Sequence, residues 1–429
     1  MLDFTGVVAA DRANFATPSP IVRRFQALDG VDSMSRLSYP LRLRAKLAVL
    51  RRLNDAVDVL RSPVRRSEVL LVTGSAPPAK AREVETRLQF LFSHIENTPA
   101  FRRVRRASPV AYVRSSGVAA VDAAAVPSIA YRGLRWVANL DYETNPDDAW
   151  DLMNLGAAVT HRPDRKTLAA AHQTFVDHVQ KLKTDGPRPV YLFGTGPSLQ
   201  LASKRSFLDG SVVVCNTIVR DQELWHHLAP DFLTAGDAIY HFGHTGHARA
   251  FRADALRRLQ ESNGRTVFVY PARFDVIVRS EFKDIQSLLV PVPMGEHSDL
   301  TVDLTKRFKY PPLGNVLRDL LLPLGCTLSR DVRLWGFDGR APTDSGFWSN
   351  SPRHSYPEHM QAMRDSNPAF FAELVPQGNE NKYVEQVHGD QLDDRLTEAE
   401  LRGFQFRMLH PSWTPTFQKR YSELGPNQE

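Results

Sequence analysis

Val190-Tyr191-Leu192-Phe193-Gly194-Thr195-Gly196-Pro197-Ser198-Leu199 is the stretch whose reading decides the fold. Four successive apolar residues suit a strand buried on both faces, Gly194 and Gly196 let the chain turn tightly, and Pro197 fits the first turn of a helix. A strand, a glycine turn and a helix start in that order gather free N–H groups at one point, which is an anion site suited to a phosphate. No Gly-Lys-Ser/Thr follows, so this is not a Walker A loop, and Leu199 stands where a dinucleotide fingerprint has its third glycine.

Downstream the pattern repeats. Residues 211–214 (SVVV) read as a strand ending at Cys215 and Asn216, and residues 231–235 (DFLTA) as a strand ending at Gly236 and Asp237. Helices are read at 248–260 and 316–324, and strands at 266–270 and 332–335, the last running into Trp335-Gly336-Phe337-Asp338-Gly339-Arg340. Strands separated by helical stretches predict an α/β, mostly parallel sheet over residues 161–429, with ligands outside the carboxyl ends of its strands.

Upstream, residues 165–183 (RKTLAAAHQTFVDHVQKLK) carry apolar side chains at helical spacing, and residues 145–163 read as polar and irregular. A boundary near residue 160 follows, with an additional α/β domain over residues 1–160. There EVLLVT (68–73) is a strand, 74–78 a turn and 79–93 a helix, with further strand-like runs at 110–113 and 134–140. The stretch LRLRAKLAVLRRLNDAVDVL (41–60) predicts an amphipathic helix whose basic face is either solvated or meets a membrane surface or a partner.

The 429 residues, 42 % hydrophobic and 24 % charged, allow two or three domains at about 150 residues each. Two cysteines, Cys215 and Cys326, exclude a multi-cysteine zinc site and a disulfide framework, and suit a reducing compartment. The opening MLDFTGVVAADRANF lacks the basic start and apolar core of a signal peptide, so a cytoplasmic setting is expected. The most apolar window, 314–328, is broken by Arg318, Asp319 and Pro323, which excludes a membrane span there. A net charge of +6 permits nucleic acid, anionic lipid or a phosphorylated small molecule and selects none of them.

The residues that end the strands carry the candidate chemistry. Asn216 offers both donor and acceptor groups to a base or sugar edge, and Asp237 suits a ribose hydroxyl or a divalent cation, although each also suits a plain turn. His241, His244 and His247 are three residues apart, which is not the helical pairing of a zinc protease, and no metal site is read there. His226 and His227 beside Trp225 read as helix surface. The long polar loop after Arg340 ends in Arg353-His354-Ser355-Tyr356-Pro357-Glu358-His359. His359, just inside a helix start, is the expected general base, and His354 is its competitor.

Taken in order, the Gly194–Leu199 turn, Val214-Cys215-Asn216, Gly236-Asp237, Gly314-Asn315-Val316 with Leu324-Gly325, Val332 to Asp338, and Tyr356-Pro357-Glu358-His359 resemble the bacterial sialyltransferases of glycosyltransferase family 42. The resemblance spans residues 188–365 and rests on order and spacing. It implies a Rossmann-like domain and inverting transfer of sialic acid from CMP-sialic acid to a glycan acceptor, with no cofactor required. It places Gly194, Thr195, Gly196, Pro197 and Ser198 on the nucleotide phosphate. Asn216, Asp237, Gly314, Asn315, Asp338 and Tyr356 contribute to the nucleotide site, and His359 is the base. The family has asparagine where Thr195 and Asp237 stand and tyrosine where Arg340 stands, so its paired tyrosines have no clear counterpart. Ser198 with Arg340 or Arg353 would then neutralise the departing phosphate.

The group that includes the 6-hydroxymethylpterin pyrophosphokinases is similar in its Gly-x-Gly-Pro-Ser-Leu turn and its strand-end aspartate. That resemblance implies magnesium-dependent diphosphate transfer with Asp237 on the metal. A non-catalytic nucleotide- or polysaccharide-binding assembly protein is the third expectation. The leading reading expects a nucleotide sugar and a glycan acceptor as partners, no nucleic acid, and leaves open a peripheral contact at the inner membrane.

Overall fold

The computed structural model describes residues 68–96, 98–108, 111, 115–126, 137–184, 186–297, 299–311, 314–339, 352–374 and 390–423. Two all-parallel sheets form among them. The smaller contains β1 (Glu68–Val72), β2 (Ala100–Val104), β3 (Gly117–Ala120) and β4 (Val137–Asn139) in the order β2-β1-β3-β4. The larger contains β5 (Val190–Phe193), β6 (Ser211–Cys215), β7 (Phe232–Thr234), β8 (Val267–Pro271), β9 (Leu289–Val292), β10 (Asp331–Trp335) and β11 (Gln405–Met408). Its order is β11-β10-β5-β6-β7-β8-β9. This is the expected α/β class.

Each sheet reverses its direction of growth once. The chain adds β2 on one side of β1 and β3 on the other; it adds β6 to β9 on one side of β5, then returns to lay β10 on the other. Such switch points leave a crevice at the carboxyl ends of the two central strands, where ligands bind in open α/β sheets.

The principal helices are α1 (Pro78–Phe92), α2 (Asp148–Thr160), α3 (Arg165–Lys183), α4 (Gln222–Leu228), α5 (Gly246–Glu261), α6 (Asp275–Glu281), α7 (Leu322–Leu328), α8 (Pro357–Ser366), α9 (Pro368–Leu374) and α10 (Asp390–Leu401). Alternation along β5 sends Val190 and Leu192 into a core with α3, α7 and α10, and Tyr191 and Phe193 into the opposite core. Burial on both faces explains the unbroken apolar run. The second core is continuous with one face of the smaller sheet through Val69, Leu71, Leu88, Trp150 and Leu155. The chain crosses from one sheet to the other through the mostly exposed residues 161–164 between α2 and α3, and α3 then packs in the core on the other face of the larger sheet. Arg87 of α1 ties the second core further, reaching Asp148 of α2 and the carbonyl of Ser366 at the end of α8.

The segment expected to be irregular at 145–163 is instead largely helix α2. Its polar look comes from acids that are buried with partners: Asp148 meets Arg87, and Asp151 accepts the N–H of Asn139 and the Asn145 amide. The helix expected at 41–60 lies outside the described residues, as do most of 110–113 and Arg340. Among the described residues no helix is long and apolar enough to cross a membrane.

Candidate functional site

The Gly194–Leu199 turn forms as read, and the loop after β10 closes against it. The N–H of Gly194 donates to Trp335 O (2.8 Å) and that of Gly196 to Gly336 O (2.8 Å), so the two turns are zipped across the switch point. This approach explains the glycines. Gly336 has φ +78° and any Cβ there would strike the Gly194 backbone, while a Cβ on Gly196 would strike Asp338 and lie 2.7 Å from Gly336 O.

Asp338 occupies the cradle itself. Its carboxylate accepts the Ser198 N–H (3.2 Å to each oxygen) and the Ser198 hydroxyl (3.0 Å). The Trp335 indole N–H donates to Ser198 O at 2.8 Å and pins the turn from below. Burial pushes the Asp338 carboxyl above the usual range, with the Ser198 donors pulling it back. The expected anion position therefore exists, and the protein's own carboxylate fills it.

The smaller sheet repeats this device at its switch point, a feature the sequence reading did not find. Ser75, just after β1, donates its N–H (2.8 Å) and hydroxyl (2.7 Å) to Oδ2 of Asp122, just after β3. Asp122 is half-buried, and its hydrogen bonds from Ser75 hold it below the usual carboxylate range. Each sheet thus joins its central strands by a serine on one turn and an aspartate on the neighbouring one.

A second group gathers at the end of β6. Asn216 adopts φ +54°, uncommon for a residue with a side chain, and its Oδ1 is buried without a hydrogen-bond partner. Next to it, the Thr217 hydroxyl donates to the carbonyl of His354. His354 is 1 % exposed; its Nε2 lies 3.1 Å from Oδ2 of Asp221, and its Nδ1 is buried with no partner. Buried polar atoms left unmet cost about 1–3 kcal/mol each, so this end of β6 carries an unfavourable contribution. Arg353 is not a free cation for a phosphate, because Asp221 (Nε to Oδ2, 2.9 Å) and Glu223 (2.8 Å) hold it.

The third group surrounds the start of α5. Asp237 follows β7, and its Oδ1 accepts the N–H groups of Ile239 and Tyr240 at 2.7 Å each. Burial raises its pKa to about 6. Its own N–H donates to Nδ1 of buried His241, which burial keeps neutral. His247 bonds Tyr240 O and stacks edge-on against Tyr240 and Tyr356. Tyr356, expected on the nucleotide, directs its hydroxyl to Asp254 at 2.7 Å, and its ring lies under the Arg220 guanidinium. His359 is half-buried on α8, its ring against Gly246.

Gly314 and Asn315 begin the crossover helix that leads to β10 and bond within it: Asn315 Oδ1 accepts the Arg318 N–H at 3.0 Å, and Gly314 donates to Asp319. Among the described residues no three His, Cys, Asp or Glu side chains come close enough to hold a metal ion. Burial pushes the Cys215 thiol up, which removes it as a nucleophile. A cleft of about 350 Å³ lined by Pro411, Ser412, Trp413, Gln418 and Tyr421 adjoins the first group, where the Trp413 N–H donates to Asp338 O at 2.6 Å. Trp413 and Tyr421 are exposed beside it. The chain matches no protein-family model, no curated protein and no solved structure.

Proposed function

We propose that this chain is a glycosyltransferase that takes a nucleotide-activated sugar of the CMP-sialic acid type and holds its phosphate at the Gly194–Ser198 turn. The observation that carries the reading is the Asp338 carboxylate seated on the N–H and hydroxyl of Ser198 at the switch point: the position accepts one anionic group between two converging donors. A phosphate oxygen makes the same bonds with more charge. Asn216, at the end of the adjacent strand, offers its unmet Oδ1 to an N–H or O–H of the nucleoside.

Inverting transfer needs a base for the acceptor hydroxyl and stabilisation of the departing phosphate. The N–H and hydroxyl of Ser198 supply the second once Asp338 yields them, and His354 or His359 the first. The acceptor in this reading is a bacterial surface glycan. In the pyrophosphokinase reading Asp237 would hold magnesium, but among the described residues it belongs to no group of three His, Cys, Asp or Glu side chains, and one of its oxygens caps its own turn.

The test is thermal unfolding with CMP, UMP and AMP, each with EDTA and with magnesium, followed by release of CMP from CMP-sialic acid. Stabilisation by CMP that survives chelation is expected. A chain that no nucleotide stabilises refutes the reading, and stabilisation that needs magnesium returns it to diphosphate transfer.

A further inference from the structure

We propose that the cleft beside Trp413 and Tyr421 binds a neutral sugar chain, with the Trp413 ring as its stacking platform, and that it is a site separate from the anion cradle at Ser198. Among the described residues these two are the only aromatic side chains that stand exposed, Trp413 at 56 % and Tyr421 at 42 %. Both line the same cleft of about 350 Å³, a volume at the small end of the range for ligand clefts, about 300–1,000 Å³. Among the described residues neither ring packs on another ring or a cation, and the Gln418 amide and the Tyr421 hydroxyl make no hydrogen bond. Single exposed apolar side chains are ordinary on a protein surface, but two aromatic ones sharing a concave place mark a contact surface.

The platform is held in place by its main chain. The Trp413 N–H donates to Asp338 O at 2.6 Å, and the Ser412 hydroxyl donates to Phe337 O at 2.7 Å while accepting the Thr414 N–H at 3.1 Å. The backbone is thus fixed on both sides of the tryptophan while the ring stays in water. Tyr421 is fixed in the same way: the Met408 N–H of β11 donates to Arg420 O at 2.8 Å, and the Ser422 N–H to Met408 O at 3.0 Å. An aromatic side chain on a pinned backbone has only its own two torsions left to order, so binding costs it little entropy.

The lining selects the ligand class. Pro411, Ser412, Trp413, Gln418 and Tyr421 carry no charge, and the neighbouring Lys419 and Arg420 are committed to Asp393 and Glu400. Nothing in the cleft therefore compensates a phosphate, a carboxylate or an acidic lipid headgroup. A pyranose ring carries C–H bonds on one face and hydroxyls around its edge. The C–H face packs on the electron-rich face of the indole, and the hydroxyls meet the Gln418 amide and the Tyr421 hydroxyl. The cleft follows β11, the strand beside β10, so it lies on the rim of the switch-point crevice with the Asp338 turn at its edge. A sugar chain held there has one end close to the place of transfer. Its use as the foothold of the acceptor glycan rests on the transferase reading; its binding does not.

The experiment is titration of the full chain with the neutral hexasaccharides cellohexaose, chitohexaose and maltohexaose, and with decaproline as the peptide control, read by calorimetry and tryptophan fluorescence. At least one hexasaccharide is expected to bind in the micromolar to millimolar range. Trp413→Ala should weaken it roughly ten-fold or more, Trp413→Phe less because a smaller ring remains, and Tyr421→Phe by roughly two- to five-fold because only a hydroxyl is lost. Melting temperature and CMP affinity of Trp413→Ala should match wild type, since the contact with Asp338 is made by the main chain. No binding of any hexasaccharide at millimolar concentration overturns the proposal, and so does wild-type affinity in a folded Trp413→Ala. Trp413-dependent binding of decaproline without the sugars also overturns it, and makes the cleft a groove for proline-rich peptide. Trp413-dependent sugar binding by a chain that releases no CMP from CMP-sialic acid upholds the cleft and overturns the transferase reading instead.

Discussion

Replacing Asp338 by alanine removes the carboxylate that fills the anion cradle and leaves both Ser198 donors empty. If a nucleotide phosphate binds there, it must first displace that carboxylate, so the wild-type affinity is reduced by the strength of the internal contact. Hydrogen bonds to a charged group contribute about 1.5–3 kcal/mol, which corresponds to roughly 10- to 150-fold in affinity. Asp338→Ala is therefore expected to bind CMP about that much more tightly while unfolding at lower temperature, because the contact that joins the two turns is gone. Asp338→Asn keeps an acceptor without the charge and should fall between the two. Titration calorimetry with CMP at fixed salt measures the first change, and thermal unfolding the second. Opposite signs of the two effects are the signature, since a residue that only supports the turn would lose both together. A folded Asp338→Ala that binds CMP no better than wild type refutes the reasoning.

Asp237 gives a pH effect whose sign can be worked out. Its carboxyl rises from 3.8 to about 6 on folding, so the native state holds the proton longer and stability falls as pH rises through that interval. Asp237→Asn keeps the acceptor for Ile239 and Tyr240, so urea unfolding at pH 4 and pH 7 should show it more stable than wild type by about 1–3 kcal/mol at pH 7 and little changed at pH 4. Gly196→Val places a branched side chain against Asp338 and Gly336 O; it should destabilise by about 1–3 kcal/mol and weaken CMP binding at least ten-fold, both read in the same titrations. Chelation with EDTA should leave CMP release unchanged, measured before and after dialysis.

The strands of the larger sheet that run through its middle were legible because burial on both faces writes an unbroken apolar run, as in Val190–Phe193 and Ser211–Cys215. The edges were not. β9 carries Pro291, which only an edge strand tolerates, and β11 alternates exposed and buried residues over four positions. β2 at the edge of the smaller sheet (AFRRV) is mostly solvated and reads as loop. In the site, the turn residues were found because glycine and proline mark local geometry. The partners were not: Ser198 and Asp338 are 140 residues apart, and Asp221 and His354 133 apart. Asp221 caps α4, and nothing in its local sequence sets it apart from any other capping aspartate. Only the sheet order brings these pairs together, and nothing in the local pattern encodes it.

The placement of the nucleotide is tested most directly by the crystal structure of the protein with CMP. A phosphate oxygen within hydrogen-bond distance of Ser198 N and Oγ, with the Asp338 carboxylate turned away from both, is the expected result. CMP bound elsewhere while Asp338 keeps its bonds to Ser198 would contradict it.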